Sequence, residues 1–217
     1  MSEQQGGLRS ANQNPWYCLA TLFGEQTGAG YDAVMAARNR AAWNRWMTGL
    51  VAAPKFDALL ARGIAMEELQ PYQEVELQAF IDLLEARLPL GCRELPGPDM
   101  GVDFSRTFFE EPVSFEGFVF PTVFNIKNAI FTNAVSFMGA VFLGPAHFNG
   151  CAFTGYAGFA GVDFHGLADF RGTKFAGASG LLSARYLGDV NFGQSEGAWD
   201  NKPDYFGSGQ KSARENL

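Results

Sequence analysis

A large apolar residue returns every 11 residues through the second half of this 217-residue chain, in two interleaved series. The first series is Phe104, Phe115, Ile126, Phe137, Phe148, Phe159, Phe170, Leu181 and Phe192. The second is Phe109, Phe120, Phe131, Phe142, Phe153, Phe164, Phe175 and Tyr186. Spacings along the merged series alternate between five and six residues without exception. A fixed period of this kind is the signature of a repeat architecture. It constrains the fold of about half the chain and leaves the function open.

Each apolar residue is the centre of a five-residue unit, and one extra residue follows every second unit. Two positions before the centre the residue is small or β-branched in nearly every unit, as at Val135 and Cys151. Two positions after it, Gly occurs in ten of the seventeen units. Residues two apart in a strand point to the same side, and Gly is typical of turns. The pattern predicts a solenoid of short strands separated by turns.

These units resemble the pentapeptide-repeat family, whose usual unit is A(D/N)LXX. The Asp or Asn of that unit is present at Asp103, Asn125, Asp163, Asp169 and Asn191. The chain differs in having Phe at fourteen of the seventeen centres and a period of 11 in place of 10, which is similar to a Phe-centred variety of the family. The resemblance implies a mainly β fold, a right-handed quadrilateral β-helix of about four coils, here preceded by a small α-helical domain. It also implies four units, or 22 residues, in each coil, so that Phe148 stacks between Ile126 and Phe170.

Four regions are expected along the chain. Residues 1–14 are polar and predicted to be a flexible tail, 15–98 a helical domain, 99–195 the β-helix, and 196–217 a C-terminal cap and tail containing Trp199, Tyr205 and Phe206. Helices are predicted from Asp32 to about Leu50, through Leu59 after Pro54, and after Pro71. The apolar stripe of the last helix is Leu77, Phe80, Ile81 and Leu84. The segment 16–23 fits either a strand or a helical turn.

Composition excludes some classes of protein. The formal net charge is −7, which argues against direct binding of nucleic acid or of an anionic membrane. The three cysteines, Cys18, Cys92 and Cys151, are widely spaced and include no CxxC pair, which argues against a disulfide framework or a zinc site. No apolar run approaches the ~20 residues that a membrane span needs. A cytoplasmic protein is therefore expected.

No catalytic, cofactor or metal site is predicted. His147 and His165 fall on different sides of the predicted solenoid and are expected to be surface turn residues. Asp163 and Asp169 also fall on different sides and are expected to be solvated. Trp43 and Trp46 are interpreted as core. One polar, basic helix strip fits either a solvated face or a docking site for an acidic partner, and it comprises Arg38, Asn39, Arg40, Asn44 and Arg45.

Outward positions of the repeat carry an apolar patch, which usually marks a contact surface. The predicted partner or domain-docking face is Val119, Val141, Leu143, Met138, Leu182 and Leu187. Four interpretations stay open: the N-terminal helices cover the patch, a homodimer forms along it, a separate protein binds it, or its members are scattered surface residues.

The function predicted from these features is a non-catalytic protein-interaction or scaffold module with an unknown protein partner or with itself. The family resemblance implies an alternative, a DNA mimic that binds a type II topoisomerase. Such mimicry needs dense negative charge, yet Lys127 is the only charged residue between Phe124 and Val162. A third possibility, an enzyme carried by residues 15–90, lacks a visible acid–base or nucleophile pair.

Overall fold

The computed structural model of the chain describes residues 7–27, 30–51, 53–92, 94–177 and 179–197. A helical region is followed by a parallel β-solenoid of about four coils. The helices are α1 (Pro15–Ala20), α2 (Ala33–Met47), α3 (Ala53–Ala61), α4 (Met66–Leu69) and α5 (Glu74–Arg87).

Four parallel sheets surround the solenoid core, and we name them faces A to D. Face A contains β1 (Arg9–Ser10), β3 (Thr107–Phe109), β7 (Ile130–Phe131), β11 (Ala152–Phe153), β15 (Lys174–Phe175) and β18 (Glu196–Gly197). Face B contains β2 (Val102–Asp103), β6 (Phe124–Asn125), β10 (Ala146–His147), β14 (Ala168–Asp169) and β17 (Val190–Asn191). Face C contains β4 (Val113–Ser114), β8 (Val135–Ser136) and β12 (Ala157–Gly158). Face D contains β5 (Val119–Phe120), β9 (Val141–Phe142), β13 (Asp163–Phe164) and β16 (Arg185–Tyr186).

The strand register confirms the predicted coil length. Ala146 lies opposite Phe124 on one neighbouring strand and opposite Ala168 on the other, a step of 22 residues in each direction. The first three coils visit the four faces in the order B, A, C, D. In the fourth coil the 3-10 helix Leu181–Ser183 continues face C in place of a strand. The β-solenoid and the helical region before it are therefore as predicted, whereas the right-handed twist and the square cross-section stay predictions.

The repeat glycines serve two different purposes at the corners. After face C the corner turns without an extra residue, and Gly161 adopts a φ of +67°, a left-handed conformation that favours glycine. After face D an extra residue follows the corner, and the backbones of successive coils approach closely. A Cβ at Gly144 would lie 2.5 Å from the carbonyl oxygen of Thr122 on the coil below. Glycine is therefore required at some corners because the backbone has a positive φ, and at others because a side chain would collide with the neighbouring coil.

Stacked phenyl rings form the core of the solenoid, as predicted. Phe148 and Phe170 lie 4.7 Å apart between ring centroids at 9°, and Phe109 and Phe131 lie 4.3 Å apart at 1°. Rings from different faces meet edge to face, as Phe137 of face C does with Phe148 of face B at 88°. Each such pair stabilises the fold by about 0.5–1.5 kcal/mol beyond the burial of its apolar surface. Coils that cannot bury an apolar side alone thus form one continuous core.

The N-terminal segment pairs with the first coil, so the prediction of a flexible tail is wrong for residues 9–14. Strand β1 is added to the edge of face A, with Arg9 opposite Thr107. Asn14 caps α1 by accepting a hydrogen bond from the Trp16 N–H, and its amide donates to the Asp103 carbonyl on face B. An open sheet edge exposes unpaired backbone groups, and this segment satisfies some of them.

Helix α2 closes the edge of face D with two side chains. The indole Nε1 of Trp43 donates to the Val119 carbonyl at 2.9 Å. The side chain of Asn44 accepts from the Val119 N–H at 2.8 Å and donates to the Gly117 carbonyl at 3.1 Å. Trp43 also contacts the rings of Phe118 and Phe120. Consequently α2 caps the end of the solenoid and extends its aromatic core.

Most of the helix predictions are confirmed. The Asp32 carboxylate accepts from the Met35 N–H and caps α2 as expected, and α3 and α5 occur where their sequence patterns place them. The ambiguous segment beginning at Trp16 is helical, because Asn14 and Pro15 supply a cap and a first helical residue. Helix α4 was not predicted. The expected cap residues of 196–217 lie outside the described residues from position 198 onward, and the division into four regions otherwise stays a prediction.

Candidate functional site

The outer faces of the solenoid are the surfaces that can meet another molecule. Central residues such as Phe137 and Phe159 are fully buried. Residues immediately before and after each centre point outward and form columns that run from coil to coil. The candidate site is therefore sought among these columns and the helices that lie against them.

Part of the predicted docking face is covered by the chain's own helices. Val119, Val141 and Leu143 are buried in an apolar cluster with Leu59 of α3 and Leu69 of α4. We call these three residues the covered half of face D. These three residues pack against α3 and α4 of the N-terminal region. The helical region thus caps the end of the solenoid through α2 and covers one side through α3 and α4.

The rest of face D lies in the third and fourth coils and carries charge. We call Asp163, His165, Arg185 and Leu187 the open half of face D. Arg62, directly after α3, places its Nε 2.8 Å from Asp163 Oδ2 and donates from Nη2 to the Gly161 carbonyl. Arg185 Nη1 lies 3.3 Å from the same Asp163 oxygen. Leu187, a member of the predicted docking face, is 52% exposed.

His165 lies close enough to these charged side chains for them to act on its pKa. Burial lowers the pKa of His165 below its ordinary value, and the positive charges of Lys55 and Arg185 lower it further against the opposing charge of Asp163. The imidazole is therefore neutral at pH 7. It occupies the column between Leu143 and Leu187 as a polar but uncharged side chain.

The expectation that the two aspartates are solvated is wrong. The side chains of Asp163 and Asp169 are each only 2% exposed, and both are ion-paired. Burial alone would raise the pKa of Asp169, but two hydrogen bonds from the Arg171 guanidinium outweigh burial and lower it. Their outward strand positions predicted exposure, and only the packed neighbours remove it.

Face B carries a ladder of local hydrogen bonds. Asp103 Oδ1 accepts from the Ser105 N–H at 2.8 Å, and Asn191 Oδ1 accepts from the Gly193 N–H at 3.0 Å. The same contact, from a side chain to the backbone two residues later, recurs at Asn125 and Asp169. These Asx turns explain the Asp or Asn before the repeat centre on this face. The side chains of this column therefore stabilise the backbone turn that follows each strand of face B.

Histidine 147 interrupts this ladder. It lies in β10 between Asn125 and Asp169, and its Nδ1 atom is buried without a hydrogen-bond partner among the described residues. Burial lowers the pKa of His147, and Lys127 and Arg171 lower it further against Asp169. The side chain is half-buried in a strand, so its expected status as a surface turn residue is wrong. The two histidines do lie on different faces, as predicted.

The basic strip of α2 is occupied within the chain. Arg40 forms a bidentate contact with Glu68 of α4, and Arg45 pairs with Glu76 of α5. Arg38 lies over the ring of Phe23, with 4.1 Å between its Cζ and the ring centroid. The two asparagines of the strip, Asn39 and Asn44, are buried. Both interpretations of this strip are therefore wrong. Its residues are neither a solvated face nor a free docking site for an acidic partner, because each one packs against another part of the chain.

Face C bears the remaining members of the predicted docking face. Met138 is 43% exposed and Leu182 is 49% exposed. Between them lie Gly158, which is buried against the Tyr156 ring, and the half-buried Ala160. The result is an uncharged strip in which Met138 and Leu182 stay exposed.

The architecture defines the class of protein as a parallel β-solenoid with an N-terminal helical cap. Residues 126–174 match the family model described as pentapeptide repeats (9 copies), so this part of the solenoid is built from pentapeptide repeats, as the sequence predicted. No curated protein matches the chain, and no solved structure does. Among the described residues, no helix has the length and apolar content required to cross a membrane.

Proposed function

We propose that this chain is a non-catalytic interaction module whose solenoid presents open outer faces to a protein partner. One observation carries the proposal: the chain covers part of its apolar outer surface with α3 and α4 but leaves Met138, Leu182 and Leu187 about half exposed. Exposed apolar side chains on a rigid surface are typical of contact sites. A self-associating homodimer is the other form that the same surface supports.

The alternative of a DNA mimic receives no support from the charges on the outer faces. Face B mixes Asp103 and Asp169 with Lys127 and Arg171, and face C between Ser136 and Leu182 carries no charge. A surface that mimics the phosphate backbone requires columns of a single sign.

Affinity purification with matched variants tests the proposed interaction face. The full chain is compared with the double variant Met138→Asp/Leu182→Asp and with the control Ala176→Asp, which alters an exposed residue on face A. We expect the double variant to lose specific proteins, or to change the solution mass, while the control retains both. If the double variant keeps the same proteins and the same mass as the unaltered chain, face C is not the interaction face.

A further inference from the structure

Helix α3 lies along the boundary between the two halves of face D. Lys55, Leu59 and Arg62 are spaced by four and three residues, which places them on one side of the helical path. Leu59 packs into the apolar cluster of the covered half. Arg62 instead reaches the open half, where it binds Asp163. The C-terminal end of α3 therefore borders strand β13 of the third coil, next to β16 of the fourth.

Positive charge is in excess along this border. Arg62 and Arg185 both contact a single carboxylate oxygen of Asp163, and Lys55 adds a third cation on the exposed side of α3. The charges that act on the neighbouring His165 are these three cations and one carboxylate, that of Asp163. The side chain of Arg185 is 53% exposed, so the excess charge is directed toward solvent. The excess is opposite in sign to the net charge of −7 on the whole chain.

The buried carboxylate is incompletely satisfied by its cations. Asp163 Oδ1 is buried and has no hydrogen-bond partner among the described residues, although Oδ2 has two guanidinium neighbours. Asp163 consequently holds the two arginines in place without using all of their donors. Arg185 has no second carboxylate in the described structure, which leaves most of its guanidinium available to an incoming acid.

An apolar side chain lies next to this charge. Leu187 follows Arg185 by two residues, and both are about half exposed. Leu187 lies in the same outward column as Leu143, two coils further along the solenoid. Leu143 is covered by α3 and α4, whereas Leu187 is exposed. A second segment can lie on the open half of face D in the same way that α3 lies on the covered half.

From this juxtaposition we infer that the open half of face D, together with Lys55, docks an acidic segment of a partner protein. Arg185 and Lys55 bind its carboxylates, and Leu187 takes an adjacent apolar side chain. The inference rests on the proposed function and deepens it by naming a second surface and the chemistry of its partner. Charge complementarity selects a short acidic peptide over nucleic acid, because the overall charge of −7 repels an extended polyanion at long range.

Selection from a displayed library of random peptides about twelve residues long provides the test, with the full chain as bait. We expect the recovered peptides to be rich in Asp and Glu next to an apolar residue. A labelled recovered peptide should bind about tenfold more weakly to Arg185→Gln, the loss that corresponds to one well-placed charged contact. Lys55→Gln should weaken binding several-fold and leaves Asp163 untouched, so it keeps the test valid if Arg185→Gln unfolds. Lys127→Gln on face B is the matched control and should have no effect.

Three results would overturn the inference: peptides without acidic enrichment, acidic peptides whose affinity is unchanged in both Arg185→Gln and Lys55→Gln, or a dimer that Arg185→Gln abolishes. The last would make a second copy of the chain the occupant. The test of the acidic docking site is independent of the test of the proposed function, because the double variant Met138→Asp/Leu182→Asp alters face C and not face D. If that double variant changes the bound proteins while no acidic peptide is recovered, the interaction module stands and this docking site does not.

Discussion

Replacing Asn44 by Ala should destabilise the protein by about 3 kcal/mol. Asn44 is fully buried, and its side chain is the hydrogen-bond partner of both the Val119 N–H and the Gly117 carbonyl. Each buried backbone group that loses its partner costs about 1–3 kcal/mol. The contact of Asn44 with Glu68 is also lost, but Glu68 keeps its bidentate contact with Arg40, so we assign that loss little energy. The expected loss is a large share of the about 5–15 kcal/mol that stabilises a typical protein.

Urea denaturation of the two proteins measures the loss, and amide hydrogen exchange locates it. The Val119 amide should exchange much faster in Asn44→Ala, because its acceptor is gone while the rest of the core is intact. Asn149→Ala is the matched control, since Asn149 Oδ1 is buried without a hydrogen-bond partner among the described residues and its removal should not destabilise the protein. A loss below 1 kcal/mol for Asn44→Ala, or unchanged exchange at Val119, would refute the role of α2 in closing this sheet edge.

Two further predictions concern the solenoid itself. His147→Asn should stabilise the protein by about 1 kcal/mol by completing the ladder of face B with a bond to the Asn149 N–H. Because burial lowers the pKa of His147 in the folded state, the unfolded chain binds more protons below pH ~6.5, so stability falls as the pH drops through that range. The variant should lose part of this dependence, and urea midpoints at pH 5 and pH 8 that shift equally in both proteins would contradict it. Phe137→Leu should cost about 1–3 kcal/mol, because Phe137 stacks on Phe115 and on Phe159 at 5.0 Å in each case. The free energy of unfolding measures this cost, and a value near zero would show that ring stacking adds nothing beyond apolar burial.

Much of the fold follows from local sequence information. The Phe period, together with the four units per coil that the family resemblance implies, indicated the coil length and the stacking partners, and the register of β10 with its neighbours agrees with them. Asp32 and Pro15 mark the starts of α2 and α1, and such signals can be recognised from the sequence because they depend only on neighbouring residues. Helix α4 was missed, because four residues are too few to show a helical period.

The candidate site depends on contacts that no local pattern contains. Arg62 and Gly161 are hydrogen-bonded across 99 positions, and Trp43 reaches Val119 across 76. Asp163 occupies a repeat position at which an acidic or amide residue is ordinary, so its sequence context predicts an exposed side chain. Its burial follows from the approach of Arg62 after α3 has packed on face D.

The sequence alone determined that the second half of the chain is a solenoid, because a coil can bury its apolar centres only on another coil with the same spacing. It also determined that the glycine corners and the phenyl columns repeat together. The tertiary structure decided which outward residues are covered and which are open, since Val141 and Leu187 are equally apolar in sequence. The difference between them is that α3 and α4 reach the lower coils of face D and leave the fourth coil uncovered.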